Sequence, residues 1–474
     1  MNRKQNSLGH TSRSRPRTLL LWQLLGLLIV LAAVAFVVVG LTRSSPQPQV
    51  NVSLQYPAIG PKNGATIRMS EGERGLSSIR VELQQGAHTK VLAEESFVPR
   101  APWDFFGDVV TEHTAAVELG KEAHPELVEG EATLRVTTAL AGNWLRSPEP
   151  LVTERQLPVR LTPPLIQVQS EFIYAAQGRV ELVVYQVGES ATKDGVEVDE
   201  WFFPGFPLPG GGPRERFALF AIPYYLDDQT AVRLMAEDEL GNRAVRTDFL
   251  HQFFPRPLGK DTIQLNDRFM AKVVTEILPR SKLPDKGDLL QNYLQLNGEL
   301  RRQNGLALRE MAARSEQRFL WREPFLPMRN AAVKGAFADR RTYLFEGKSV
   351  DTQDHLGFDL ASVSRAPIEA SNDGKVLYAD YFGIYGNCVV IDHGYGLMTL
   401  YAHLSSISVS AGEEVRRGQE VGRSGATGLA GGDHLHFTTA LQGLPVNPIE
   451  WWDAHWIQDR LKRKLGDALP FSGM

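Results

Sequence analysis

The chain has 474 residues, enough for about three domains at roughly 150 residues each. Its formal net charge is −4, with 43% hydrophobic and 22% charged residues. That balance leaves material for several cores and excludes a whole-chain basic field, so no nucleic-acid partner is expected. The lone cysteine, Cys388, excludes an internal disulfide framework and leaves the compartment open.

The first element reads as a membrane anchor. Arg3, Lys4, Arg13, Arg15 and Arg17 precede an apolar run from Leu19 to Leu41 in which only Gln23 is strongly polar. At about 1.5 Å per helical residue the run is long enough to cross a hydrocarbon core of about 30 Å. A cleaved signal peptide has an apolar region of only about 7–15 residues, and no small-x-small site follows cleanly. A retained anchor is therefore predicted over 18–42, behind a cytoplasmic basic arm at 1–17. The basic residues lie before the run, with Arg43 alone just after it, which places the N-terminus in the cytoplasm and the rest beyond the membrane. The run is apolar on all faces and ends in Ser-Ser-Pro-Gln-Pro, which argues against a buried core helix.

After a polar linker, residues 51–162 and 163–255 read as two β-sandwich modules. Ile79 to Leu83 and Ala132 to Val136 alternate apolar and polar in the first. Val180 to Tyr185 and Val232 to Ala236 supply strands in the second. Gly75-Leu76-Ser77-Ser78 and the stretch Ala236 to Asn242 resemble short pieces of bacterial immunoglobulin-like modules. The acidic run Asp194 to Glu200 reads as a solvated loop.

Residues 256–322 read as a helical connector. Ile263, Phe269, Val273, Ile277 and Leu278 fall near helical spacing, as do Leu289, Leu290, Tyr293, Leu294 and Leu300. Asn304-Gly305 is expected to separate a third short helix. Two readings stand: a packed linker, or a regulatory arm that covers a groove or meets a partner. Residues 323–453 return to strand- and Gly-rich sequence. Asp392 to Gly396 joins two apolar runs as a hairpin, and Glu414 to Gly422 reads as another. The tail, 454–474, is amphipathic, with Trp456, Ile457, Leu461 and Leu465 on one side.

Histidine concentrates between residues 355 and 436. Of 11 in the chain, His355, His393, His403, His434 and His436 lie close together, and four of these sit in short motifs. His355-Leu356-Gly357-Phe358-Asp359 offers an imidazole and a carboxylate, both good Zn²⁺ ligands, with a glycine that lets them converge. The second motif is Tyr401-Ala402-His403-Leu404. In His434-Leu435-His436-Phe437 the i and i+2 histidines share one strand face. His393, at a hairpin turn, reads as structural. Cys388 reads as an inert core residue. Gly347-Lys348-Ser349 lacks the first glycine of a phosphate loop, since Thr342 stands there.

These three motifs, with Gly386-Asn387, Ile391-Asp392-His393-Gly394 and the stretch Gly422 to Gly428, resemble the lysostaphin/LytM-type zinc peptidases of bacterial cell-wall metabolism. The resemblance spans about residues 325–450. It implies zinc held by His355, Asp359 and His436, and a catalytic pair of His403 and His434. Three protein ligands leave a fourth position for water, the arrangement of a catalytic zinc. His434 is favoured as base and His403 as oxyanion stabiliser, although sequence does not separate them. The chain departs from the family with Thr438 where Glu is frequent, Tyr395 where Asn is common, Ala430-Gly431 for Ser-Thr and Asp433 for Pro.

The expected fold class is mainly β: an N-terminal transmembrane helix, two β-sandwich modules, a helical connector and a C-terminal antiparallel β-sheet peptidase domain. The resemblance implies a zinc endopeptidase in the periplasm, anchored in the inner membrane by one helix, that cleaves stem or cross-link peptides of peptidoglycan. Cell-wall enzyme partners are a further implication. A non-enzymatic activator or scaffold for other wall hydrolases is the rival, and would typically lack metal ligands.

Overall fold

The computed structural model describes residues 17–43, 45–257 and 259–472. The basic arm before Arg17 lies outside the described residues. The fold is mainly β, with an apolar N-terminal helix and further helices between the sheets. The chain divides into two compact units, Met1–Thr162 with Leu240–Asn242, and Pro163–Glu239 with Arg243–Met474.

The first unit begins with the helix Arg17–Thr42. Its segment Leu20–Thr42 has 23 residues and is long and apolar enough to cross a membrane. Seven strands follow in two antiparallel sheets. Gln49–Leu54, Gly64–Ser70 and Glu112–Glu118 form one; His88–Ser96, Ser78–Gln85, Gly130–Ala139 and Leu151–Val159 form the other. Val81 faces Val136 and Leu83 faces Leu134 across the second sheet. The period-2 alternation turns Ile67, Met69, Ile79 and Val81 inward, where they are buried.

In the second unit two four-stranded sheets come first, one around Val180–Val187 and Glu215–Ala221, the other around Ala191–Val198 and Val232–Asp238. The acidic run is mostly strand, and only Asp199 and Glu200 form an exposed turn. Asp194 lies on a strand and is buried, because Arg216 Nη2 contacts its Oδ2 at 2.8 Å and the Tyr185 hydroxyl donates to its Oδ1. The core of these sheets continues into the tail, where Ile457, Leu461 and Leu465 are buried as their spacing predicts.

The connector differs from its expected form in two places. Ile263 belongs to a strand, Lys260–Gln264, which pairs in parallel with Asp339–Phe345. Asn304-Gly305 does not interrupt a helix. The helical path runs from Leu289 through a π-turn at Leu296–Leu300 into Arg301–Ala312. Asn304 is tolerated inside it because its Oδ1 accepts the Ile384 N–H at 3.1 Å.

The last region is an eight-stranded antiparallel sheet. Ala332–Gly335, Phe358–Ala361, Leu435–Leu441, Leu397–Leu404, Asn387–Gly394, Gly374–Tyr381 and Glu414–Val415 lie in that order, and Leu444–Val446 pairs with Leu435–Leu441. Asn387–Gly394 and Leu397–Leu404 are almost wholly buried on both faces. The connector helices cover Cys388, Val390, Met398 and Leu400. Val389, Ile391 and Tyr401 pack into a separate core with Phe437. This double cover explains why the strands read as continuous apolar runs. Their hairpin turns at Tyr395 and Gly396, with φ of 52° and 80°. A tyrosine is strained there, and its ring is held by Phe206, Phe217 and Phe319, with centroids 4.9, 4.9 and 4.7 Å away. The second expected hairpin is absent. Glu414–Val415 pairs with Gly374 and Lys375, whereas Glu420–Arg423 joins a separate sheet with Pro367–Glu369 and Ser406–Ile407.

Candidate metal centre and groove

Three neighbouring strands of the large sheet and the end of a strand from the three-stranded sheet beside it in sequence bring the histidine motifs together. His355 ends the strand Lys348–His355, and Asp359 lies near the start of Phe358–Ala361. Between them Gly357 is required by space: a Cβ would meet Phe437 O at 2.6 Å and His436 Nε2 at 2.7 Å. Register does the rest. His436 lies opposite Asp359 on one side and opposite Ala402, the neighbour of His403, on the other.

His355 Nε2, Asp359 Oδ1 and His436 Nδ1 form a triangle with edges of 2.9, 3.0 and 3.0 Å. All three residues are largely buried. Zinc ligands about 2.0–2.1 Å from the ion on tetrahedral corners sit about 3.3 Å apart, so the triangle opens by only a few tenths of an ångström to hold a metal. The unused ring nitrogens are committed elsewhere. His355 Nδ1–H donates to Ala336 O at 2.9 Å. His436 Nε2–H donates to Thr438 Oγ1 at 3.0 Å, and that hydroxyl donates to Leu356 O at 2.8 Å. Both imidazoles thereby turn a lone pair toward the common centre.

The remaining two histidines flank this centre. His403, in a left-handed conformation with φ 62°, is buried and donates Nδ1–H to Thr427 O at 2.8 Å. His434 is half-buried at the rim, with Nδ1–H on Gly432 O at 2.8 Å and Nε2 3.4 Å from Asp359 Oδ1. The two rings lie 4.9 Å apart. Burial lowers His436 to about 4 and His403 well below its ordinary value. Burial also opposes charge on His434, but Asp359 beside it outweighs that and raises it. For Asp359 itself, burial works upward, and its close polar contacts with His355, His434 and His436 outweigh that and hold it far below the usual carboxylate range.

Sequence reasoning missed three supports. Arg341 Nη2 donates to Asp359 Oδ2 at 2.7 Å, fixing the oxygen that faces away from the triangle. Thr438 orients His436. Asp433 accepts from Ser364 Oγ and Arg365 N–H, both at 3.0 Å, pinning the segment that carries His434. The i+2 spacing from His436 could have flagged Thr438; nothing in the sequence links Arg341 to its partner. His393 is structural as read: Nδ1 meets Asp373 O at 2.7 Å and Nε2 meets Thr399 Oγ1 at 2.8 Å. Cys388 is fully buried and its thiol pushed well up, consistent with an inert core position.

The centre opens into a cavity of about 450 Å³. Asp261, Ile263, Phe269, Tyr293 and Arg301 of the connector form one side of it, facing Tyr385, His403 and His434. The connector thus packs on the sheet and also supplies a wall of the cavity, which leaves both the linker and the groove-covering readings standing.

Residues 353–448 match the family described as Peptidase family M23, on the stretch whose motifs carry the resemblance. Three curated relatives also match parts of the chain. The DD-carboxypeptidase/endopeptidase Mpg of Neisseria meningitidis is 44% identical over 95 residues, 20% of this chain and 22% of the relative. The murein hydrolase activator EnvC of Escherichia coli is 38% identical over 95 residues, 20% and 23% respectively. The peptidoglycan DD-endopeptidase ShyA of Vibrio cholerae is 33% identical over 169 residues, 36% of each chain. The matches thus span between about a fifth and a third of the relatives' length.

Proposed function

We propose that this chain is an M23-type zinc endopeptidase that hydrolyses stem or cross-link peptides of bacterial peptidoglycan. The observation that carries the reading is the convergence of three ligand atoms with two further histidines in one open groove. The expected divisions at 51–162, 163–255, 256–322, 323–453 and 454–474 are kept as domain proposals, with the chemistry in 323–453.

His355, Asp359 and His436 would hold the zinc, and the donor set suits it: two neutral imidazoles and a carboxylate. Zinc bound there would act as a Lewis acid and lower the pKa of a water. His434 stands at the rim with Nδ1–H committed to Gly432 O, so its Nε2, 3.4 Å from Asp359 Oδ1, is the nitrogen that would take a proton and return it to the leaving amine. His403 is fixed by Thr427 O and sits deeper, suited to donating toward a developing oxyanion. Arg341 and Thr438 hold the ligands in register and make no bond with the reacting atoms in this scheme.

The apolar helix suits a single-pass anchor in the inner membrane, with the groove in the periplasm. A Gram-negative setting and partners among cell-wall enzymes belong to the same proposal. EnvC, an activator by name, favours a second reading, in which the groove recruits another hydrolase and cuts nothing. All five site residues are present here, and that favours the enzyme.

The test is muropeptide release from purified peptidoglycan by the full chain, beside His436→Ala and His434→Ala, with zinc content measured on each. Cleavage lost in both variants, with zinc lost only in His436→Ala, supports the enzyme and the division of roles. A wild-type protein that binds no zinc and releases nothing sinks it in favour of the activator.

A further inference from the structure

Five large apolar side chains stand out on the first unit. Trp103, Phe105, Phe106 and Leu145 are 66%, 54%, 96% and 51% exposed. The fifth, Trp144, is half-buried between Phe36 of the apolar helix, at 4.3 Å between stacked centroids, and Trp103 at 5.7 Å. They come from two loops of the sandwich, and both loops are fastened to the last turns of that helix.

The fastening is polar and specific. Asn143 Nδ2 donates to Gly40 O at 2.9 Å and to Arg43 O at 3.0 Å, while its Oδ1 accepts the backbone N–H groups of Leu145 and Arg146, both at 2.9 Å. The carbonyl of Gly40, in the last turn of the helix, and that of Arg43 just beyond it are thus tied to the loop that carries Trp144 and Leu145. A Cβ on Gly40 would come within 2.5 Å of Leu145 Cδ1 and 2.8 Å of Trp144 Nε1, so glycine lets both side chains lie this close to the helix. Arg43 fixes the other loop: Nη2 donates to Asp104 O at 2.9 Å, Nε donates to Pro102 O at 3.2 Å, and the guanidinium lies 4.3 Å from the Phe105 ring centroid. Asp104 Oδ1 accepts the N–H groups of Phe106 and Gly107, at 3.1 and 2.9 Å, which forms the tight turn that turns Phe106 outward.

Geometry then sets the depth. About 20 helical residues fill a hydrocarbon core of about 30 Å. Counted from Leu19, behind Arg17, the chain leaves the core close to Val38. Phe36 and Gly40 therefore bracket the outer boundary, and Trp144 and Leu145 lie at that level. Trp and Phe at a membrane boundary gain from burying their apolar faces while polar groups remain at the headgroups. An exposed patch of this kind on a water-facing surface would instead be an aggregation liability.

We infer that the two loops, residues 97–110 and 140–147, dock the first sandwich onto the outer leaflet of the bilayer that the helix crosses, with Trp103, Phe105, Phe106, Trp144 and Leu145 at the headgroup–acyl boundary. The inference rests on the membrane-anchor reading of the helix. It makes the module a second, peripheral membrane contact in addition to the span itself.

The test uses the full chain in nanodiscs of phosphatidylethanolamine and phosphatidylglycerol. An environment-sensitive fluorophore is placed on Phe106→Cys, Leu145→Cys, Ile29→Cys and Glu122→Cys in turn; native Cys388 is fully buried and stays unlabelled. Shallow lipid nitroxides should quench positions 106 and 145 several-fold more than position 122, with blue-shifted emission and weak quenching by aqueous iodide. Iodide quenching at 106 and 145 equal to that at 122, without lipid quenching, would overturn the docking. Protection from both quenchers at 106 and 145 would overturn it too, since a protein would then cover the patch. Position 29 reads the anchor separately: if deep nitroxides fail to quench it, the spanning helix itself is refuted.

Discussion

Thr438 offers the sharpest test of the proposed metal centre. It stands where the resembling family frequently has Glu, and its hydroxyl is the only contact on the outer nitrogen of His436 found among the described residues. Thr438→Val keeps the branched shape and removes that hydroxyl. His436 Nε2–H then loses its acceptor and Leu356 O its donor, both in a region where Thr438 itself is fully buried. A buried group left unpaired costs about 1–3 kcal/mol, and loss of a ligand-orienting partner costs about 10- to 100-fold in metal affinity. Because the ring can tilt to recover part of the loss, zinc affinity should fall by about 10-fold or somewhat more, or about 1.4 kcal/mol and upward. Chelator competition measures that directly on the full chain. Thr438→Ser keeps the hydroxyl and should bind zinc nearly as wild type does, which separates the hydrogen bond from the packing. If Thr438→Val holds zinc as tightly as wild type, the orienting role is wrong.

Arg341→Gln removes the charge-assisted bond to Asp359 Oδ2. Zinc affinity should drop by about 10-fold or more, with partial recovery in Arg341→Lys; unchanged chelator competition in Arg341→Gln would refute the role. His393 is fully buried and lowered to about 4 from 6.5, chiefly by burial, so the unfolded chain takes up the proton first as pH falls. Its share of stability is complete above pH 6.5 and lost between there and pH 4, on the order of 3 kcal/mol. His393→Gln should flatten urea stability across that window relative to wild type, and parallel pH curves for the two proteins would contradict the assignment. A fragment of residues 323–474 should fail to fold, because the connector contributes Met270, Val273, Ile277, Tyr293, Leu296, Leu300 and Leu308 to the core over the sheet. At about 1.5–3 kcal/mol per buried side chain the loss is on the order of 10 kcal/mol, comparable to a whole domain's net stability. Cooperative urea unfolding of the fragment would show the connector to be a detachable arm after all.

What the sequence made legible is local. The alternation at Ile79 and Val81, the apolar helix, and the i and i+2 faces of His434 and His436 depend on neighbours a few residues apart, and all are present in the structure. What it hid depends on register between distant segments. Glu414 and Glu420 flank a plausible turn, but their strands found partners in different sheets. Asn304-Gly305 has the composition of a break, and only the distant Ile384 N–H makes a buried asparagine acceptable there. Asp194 looked solvated until Arg216 and Tyr185 met it. Each miss replaced a local propensity with a tertiary partner that the sequence does not announce.

The departures from the family pattern follow the same logic and acquire a reason. Tyr395 occupies a left-handed turn position that suits Asn better, and three aromatic neighbours hold its ring in place. Asp433, in place of a proline, ties the His434 segment to Ser364 and Arg365 through hydrogen bonds a proline side chain does not make. Thr438, in place of a longer acid, closes a relay from His436 to Leu356 that a carboxylate would break, since two acceptors would then face each other. Thr438 bonds His436 directly, Asp433 holds the segment that carries His434, and Tyr395 stands at the hairpin turn, at the other end of the strand from Ala402. The five proposed site residues therefore stand on supports built from this chain's own residues, so that Thr438→Glu, a return to the family's frequent residue, should weaken zinc binding here rather than restore it. Chelator competition on that variant decides the matter: affinity at or above wild type would mean that the supports are interchangeable and the relay incidental.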